Sequence, residues 1–165
     1  STEEGRREKA VLANRYLEEF KGSVFRQTMF AEFEQKAHEM AAAGESMTSQ
    51  SLCNIYKKLN EDYFGPDTVI DPEIQYEWER IPHFYTPFYV YQYATGFSAA
   101  IAISRKIFNG ELGILEGYKK FLSGGCSDTP IELLKLAGVD MSHTGPVEEA
   151  LKFFEELLNE FEELA

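Results

Sequence analysis

His83 and the tyrosines that follow it are the residues of this chain best equipped for chemistry. The run Pro82-His83-Phe84-Tyr85-Thr86-Pro87-Phe88-Tyr89-Val90-Tyr91-Gln92-Tyr93 continues through Ala94-Thr95-Gly96-Phe97 to Ile103 without a formal charge after the histidine. The surrounding chain is 27% charged, so this stretch is set apart from an ordinary surface. Imidazole and phenol groups held in an apolar wall can donate to a developing oxyanion, or hold a carbonyl oxygen, with little reorganisation. The same side chains can instead be core residues whose polar atoms are satisfied by nearby backbone. Read as one helix over 84–103, the run places Tyr85, Tyr89 and Gln92 on one face and Phe88, Tyr91 and Thr95 on another. A helix apolar all round is expected to be buried all round.

No other constellation reaches the same level. His38-Glu39 opens a zinc-protease pattern, but such a site needs a second imidazole one helical turn on, and that position is Ala42. His38 therefore reads as a surface residue near a helix C-terminus, where a cation is favoured. His143 sits in a Ser-His-Thr-Gly loop, and the three histidines share no ligand spacing. No zinc or other metal is expected on this segment. Glu148-Glu149, Glu155-Glu156 and Glu162-Glu163 recur near the helical period and read as a solvated helix face. Cys126 follows two glycines and has no histidine placed to activate it, so it reads as part of a flexible turn.

The elements that must carry these residues are helical throughout. Residues 2–20 form an amphipathic pattern with Val11, Leu12, Tyr16, Leu17 and Phe20 at helical spacing, and Ser1 with Glu4 has the spacing of a capping box. Gly22 is expected to kink or interrupt that helix. A stripe of Phe25, Met29, Phe33, Ala37 and Met40 follows and stops at Gly44. Thr48 and Ser51 open a third helix ending at Gly65-Pro66, and residues 67–80 read as an ordered connection with a short helix. Beyond the aromatic run, helices are expected over 111–122, from Pro130 to Ala137, and from Gly145-Pro146 onward, with Val147, Leu151, Phe154, Leu157, Leu158 and Phe161 facing inward. The expectation is an all-α multi-helix bundle, with residues 1–165 as one helical domain.

Charge and composition exclude several functions. With 16 basic and 28 acidic residues, the chain is poorly suited to nucleic acid or an anionic membrane surface. Cys53 and Cys126 make no paired motif, and no signal peptide opens the sequence, which points to the cytoplasm. The aromatic run is long enough to cross a bilayer but too rich in hydroxyls to do so. The chain begins without Met, and its apolar faces are too wide for its own size. It reads as a segment of a longer protein that would expose an apolar groove, or self-associate, in isolation. A stand-alone helical module binding peptides or a protein partner is the alternative.

The run from Arg80 to Ala100 closely resembles the oligoendopeptidase F family of zinc peptidases, relatives of thimet oligopeptidase. Val24-Phe25-Arg26-Gln27-Thr28-Met29-Phe30-Ala31-Glu32-Phe33-Glu34, Asp71-Pro72-Glu73-Ile74-Gln75-Tyr76-Glu77-Trp78, and Gly124-Gly125 through Ile131-Glu132-Leu133-Leu134-Lys135 to Gly138-Val139-Asp140-Met141 agree as well, in the family's order. The resemblance implies a cytoplasmic helical peptidase that encloses short peptides in a channel, where a zinc-bound water attacks the scissile carbonyl. The family's His-Glu-x-x-His helix and its glutamate ligand precede everything seen here, so the resemblance makes this a C-terminal segment without zinc ligands, whose partner is the missing N-terminal part. It matches the family's transition-state histidine to His83, its oxyanion tyrosine to Tyr91, and a substrate-binding tyrosine to Tyr85 or Tyr89.

Overall fold

Pro87 decides how the aromatic run folds. Its ring removes a backbone N–H and would clash with the carbonyl four residues back, so a helix cannot continue through it, and the residue before it is pushed to extended geometry. In the computed structural model, which describes residues 2–164, the expected 84–103 helix is accordingly broken. A short 3₁₀ helix covers Pro82–Tyr85, Thr86 is extended at φ −117°, ψ 95°, and the long helix begins only at Tyr91. The expected face shared by Tyr85, Tyr89 and Gln92 therefore does not form. Nor is the run buried all round: Tyr85, Phe88, Tyr89, Tyr91 and Tyr93 are all exposed to some degree.

Seven α-helices account for most of the described chain: α1 Glu3–Phe20, α2 Arg26–Ala42, α3 Ser49–Phe64, α4 Tyr91–Phe108, α5 Ile114–Gly124, α6 Pro130–Leu136 and α7 Gly145–Leu164. No strand occurs among the described residues, and the fold is all-α as expected. The Ser1 half of the expected capping box lies outside the described residues; Thr2 caps α1, accepting from Gly5 N. Gly22 falls in a π-helical turn, Lys21–Phe25. Thr48 and Ser51 open α3 as expected, and the structure shows them forming a reciprocal capping box there. Residues 67–80 contain a 3₁₀ helix, Pro72–Arg80, capped by Asp71. The helix expected from Glu111 starts at Ile114, because Gly110 and Gly113 both adopt positive φ.

The chain divides into two compact units, one formed by residues 25–94 and the other by the residues before and after them. In the unit of chain ends, α1 packs antiparallel to α7. Arg6 Nη2 donates to the Glu163 carbonyl at one end, and Phe20 meets Phe154 at 5.4 Å and Phe97 of α4 at 5.0 Å at the other. Arg105 of α4 donates both guanidinium nitrogens to Glu156 and lies over the Phe153 ring. The inward face of α1 runs through Ala13 and Phe20, whereas Val11, Leu12 and Tyr16 point outward, contrary to expectation. In α7, Leu157 is buried while Leu151 and Leu158 are not. A second cluster joins Ala99, Ala102 and Ile103 of α4 to Ala137 and Val139. Gly117 lets α5 touch the end of α6 there: a Cβ would sit 2.0 Å from the Leu136 carbonyl oxygen.

The 25–94 unit is built on aromatic packing. Phe33 of α2 contacts Tyr56 of α3 at 5.2 Å, Phe84 at 5.2 Å and Trp78 at 6.0 Å, with Met29, Phe30, Leu59, Ile81 and Val90 buried around them. One carboxylate ties three elements beside this core. Glu77, from Pro72–Arg80, is buried and accepts from Tyr56 Oη at 2.7 Å and from the guanidinium groups of Arg26 and Arg80. Burial pushes its carboxyl up, but the Tyr56 hydroxyl and the two arginines outweigh that, and its pKa lies below the usual value. Burial, then the hydrogen bond to Glu77, pushes the Tyr56 phenol well above its ordinary value.

Because Glu77 is more acidic folded than unfolded, its contribution is complete at neutral pH. It is lost as pH falls from the unfolded carboxyl value through the lowered folded one. Glu77→Gln should thus flatten the acid limb of a stability–pH curve from about pH 5 downward, measured by urea unfolding. Tyr56→Phe, which removes one donor from the buried charge, should cost about 1.5–3 kcal/mol in the same assay.

Candidate functional site

Two turns of backbone bring His83 and Tyr89 together where a continuous helix would have kept them apart. The imidazole and the Tyr89 ring lie parallel, 5.7 Å between centroids and 2° between planes. Tyr93, from the first turns of α4, stands edge-on to both, at 5.8 Å from His83 and 5.5 Å from Tyr89. The polar atoms form a short chain. The Tyr93 hydroxyl donates to Tyr89 Oη at 3.2 Å and lies 3.4 Å from His83 Nε2.

A phenol has one proton. With the Tyr93 hydroxyl donating to Tyr89, its oxygen is open to a donor, and His83 in its Nε2–H tautomer is that donor. Tyr89 accepts from Tyr93, which leaves its own O–H aimed elsewhere. At 3.4 Å the His83 contact is long for a hydrogen bond, so an incoming acceptor can displace it at small cost. The hydrogen bond to Tyr89 is the largest reason the Tyr93 phenol titrates above its ordinary value, with partial desolvation second.

The turn between the rings is held from α2. Phe88 is the only non-glycine among the described residues at positive φ, +57°. That geometry costs an L-residue roughly 1–2 kcal/mol. Its backbone N–H donates to Glu34 Oε1 at 2.8 Å, and an intramolecular hydrogen bond contributes about 0.5–1.5 kcal/mol, comparable to the strain. Glu34 is only 5% exposed. One turn on, the His38 ring packs against the Phe88 ring at 4.7 Å, while its Nδ1 lies 2.8 Å from the Glu34 carbonyl oxygen.

The other residues singled out from sequence lie apart from the ring stack or beside it. Tyr85 ends the Pro82–Tyr85 turn, 84% exposed, and lines an open cavity of about 320 Å³ with Phe33, Ala37, Trp78 and Phe84. Tyr91 is the first residue of α4 and is half exposed. Tyr93 is the member that sequence reading did not single out. Its place depends on the turn at 86–90, which no periodicity reveals. Cys126 is exposed and Cys53 buried, both as free thiols. Among the described residues no group of three or more His, Cys, Asp or Glu could hold a metal. Among them, too, no helix is long and apolar enough to cross a membrane.

Similarity to known proteins covers almost the whole chain. The family model described as peptidase family M3 matches residues 2–153. The chain is 52% identical to "Oligopeptidase PepF" of Bacillus subtilis (strain 168) over 98% of its length, and 49% identical to the chromosomal oligoendopeptidase F of Lactococcus lactis subsp. cremoris over 96%. It spans only 24% and 26% of those two proteins. The crystal structure of oligoendopeptidase-F from Enterococcus faecium superposes with a TM-score of 0.94 at 52% identity, over 96% of this chain and 30% of that one.

Tyr89→Phe removes the acceptor that raises the Tyr93 phenol. The Tyr93 pKa should then fall toward the ordinary tyrosine value, read from phenolate absorbance against pH, while Tyr85→Phe should leave it in place.

Proposed function

This chain belongs to peptidase family M3, and from that membership we propose that it is a segment of the catalytic domain of an oligoendopeptidase that cuts short peptides. It supplies donors to the reacting carbonyl and no metal ligand. The observation that carries this reading is the ring stack of His83, Tyr89 and Tyr93. A peptide-bond-cleaving enzyme needs hydrogen-bond donors preorganised around the oxygen that gains charge.

The described residues do not fit the zinc that the family resemblance implies. Its ligands belong to the remainder of the full-length protein, which is also this segment's partner. What the present residues do is bind and orient. The His83 N–H exchanges its long contact with Tyr93 for the scissile carbonyl oxygen and strengthens that bond as the oxygen becomes an oxyanion. Tyr91 is the second donor to the oxyanion. Tyr89, with its O–H turned away from Tyr93, holds a peptide carbonyl, and Tyr85 extends the same grip from the rim. The outward Val11, Leu12 and Tyr16 and the exposed Phe108 and Leu112 support a surface that packs on more of the same protein. The cytoplasm, where short peptides are degraded, is the compartment that fits this role.

In the full-length enzyme, His83→Ala should lower kcat about 10²–10³-fold, or roughly 2.7–4 kcal/mol, and move KM far less. Tyr91→Phe should show the same pattern with the packing kept. Normal kcat in both variants would remove the site from this cluster. A rise in KM alone would leave substrate binding and end the oxyanion role. The 165-residue chain by itself should retain no stoichiometric zinc after dialysis and should hydrolyse no peptide, checked by metal analysis and a fluorogenic peptide assay.

A further inference from the structure

We infer that Glu34 is a positioning residue for the His83–Tyr89–Tyr93 cluster, acting through the backbone N–H of Phe88. The inference rests on the role proposed above for His83 and its tyrosines. Glu34 touches none of those three rings in the contacts described; it holds the turn that brings two of them face to face.

A carboxylate buried in an apolar wall is destabilising unless a specific bond offsets its desolvation. The bond Glu34 makes is to the one backbone N–H that lies in a strained, left-handed residue. Phe88 immediately precedes Tyr89, so its φ sets the direction in which the Tyr89 ring leaves the turn. Were Phe88 to relax to negative φ, the chain would reverse course between Pro87 and Tyr89, and the 2° parallel stack on His83 would be lost. His38, on the same face of α2 one turn later, closes the grip by packing on the Phe88 ring. Backbone and side chain of a single residue are thus both fixed from α2.

Only one oxygen of Glu34 is in use: Oε1 accepts from Phe88, and Oε2 is buried without a hydrogen-bond partner among the described residues. What the site requires is therefore an acceptor at a given reach rather than a charge. This separates two variants cleanly. Glu34→Gln keeps the reach and one carbonyl oxygen and loses the charge. Glu34→Asp keeps the charge and withdraws the oxygen by one methylene.

The test is steady-state kinetics on the full-length enzyme carrying each variant, with a fluorogenic peptide, alongside thermal unfolding and the His83 ring-proton shifts by NMR. Glu34→Asp is expected to lose up to about 100-fold in kcat with KM little changed, the cost of a displaced donor set, while Glu34→Gln keeps most of kcat. The His83 ring protons should lose the ring-current shift from Tyr89 in Glu34→Asp and keep it in Glu34→Gln. Equal kcat in both variants, or the reverse order, overturns the inference, because the residue would then act through charge or only through stability. His83→Ala run in parallel separates the two readings. If it leaves kcat unchanged, the catalytic role of the cluster fails. The ring-proton shifts still decide whether Glu34 positions His83 and Tyr89. Should Glu34→Asp unfold at assay temperature, Glu34→Gln still decides: it is expected to keep most of kcat and the Tyr89 ring-current shift on His83, and loss of either overturns the inference.

Discussion

A proline four residues beyond His83 constrains everything around the candidate site. Without Pro87, the uncharged run from Phe84 to Ile103 would satisfy its backbone most simply as one helix, with its tyrosines on separate faces. With it, the ring blocks the turn that would engage the His83 carbonyl, and the chain leaves the 3₁₀ turn in an extended step at Thr86. The left-handed Phe88 then reverses it toward His83. The ring stack is therefore the product of an interrupted helix, and its geometry depends on how firmly the interruption is held.

Two buried carboxylates do that holding in contrasting ways. Glu77 has a phenol and two guanidinium groups around it and ties α2, α3 and the Pro72–Arg80 turn into one scaffold. Its burial is fully compensated, which is why it stays charged below the usual carboxyl range. Glu34 has one backbone donor and an idle second oxygen. The first arrangement builds stability; the other spends some of it to keep one residue in a backbone conformation it would otherwise leave.

Much of this fold was legible from residue types. Thr48 with Ser51, Pro130 with Gly138, and the Met29–Phe33 stripe each name a local structure with its own physical cause, and each appears where expected. His83 and the tyrosines that follow it stood out by chemistry, but nothing in their types set Tyr89 apart from Tyr85 or Tyr91. Periodicity failed where two stripes competed on one helix. In α1 both Val11-Leu12-Tyr16 and Ala13-Leu17-Phe20 recur at helical spacing, and only the partner helix decides between them. It failed again at Tyr93 and Glu34. Tyr93 joins the cluster through a turn, and Glu34 is indistinguishable from any other charge on an acidic chain until its burial is known.

The pairing of α1 with α7 has a consequence for synthesis. Phe20 meets Phe153 and Phe154, which are made more than about 130 residues later. The 25–94 unit, a contiguous stretch with its own aromatic core, can close while the ribosome is still extending the chain. The Phe20 end of α1, which precedes that unit, gains its α7 partner only once α7 has been made.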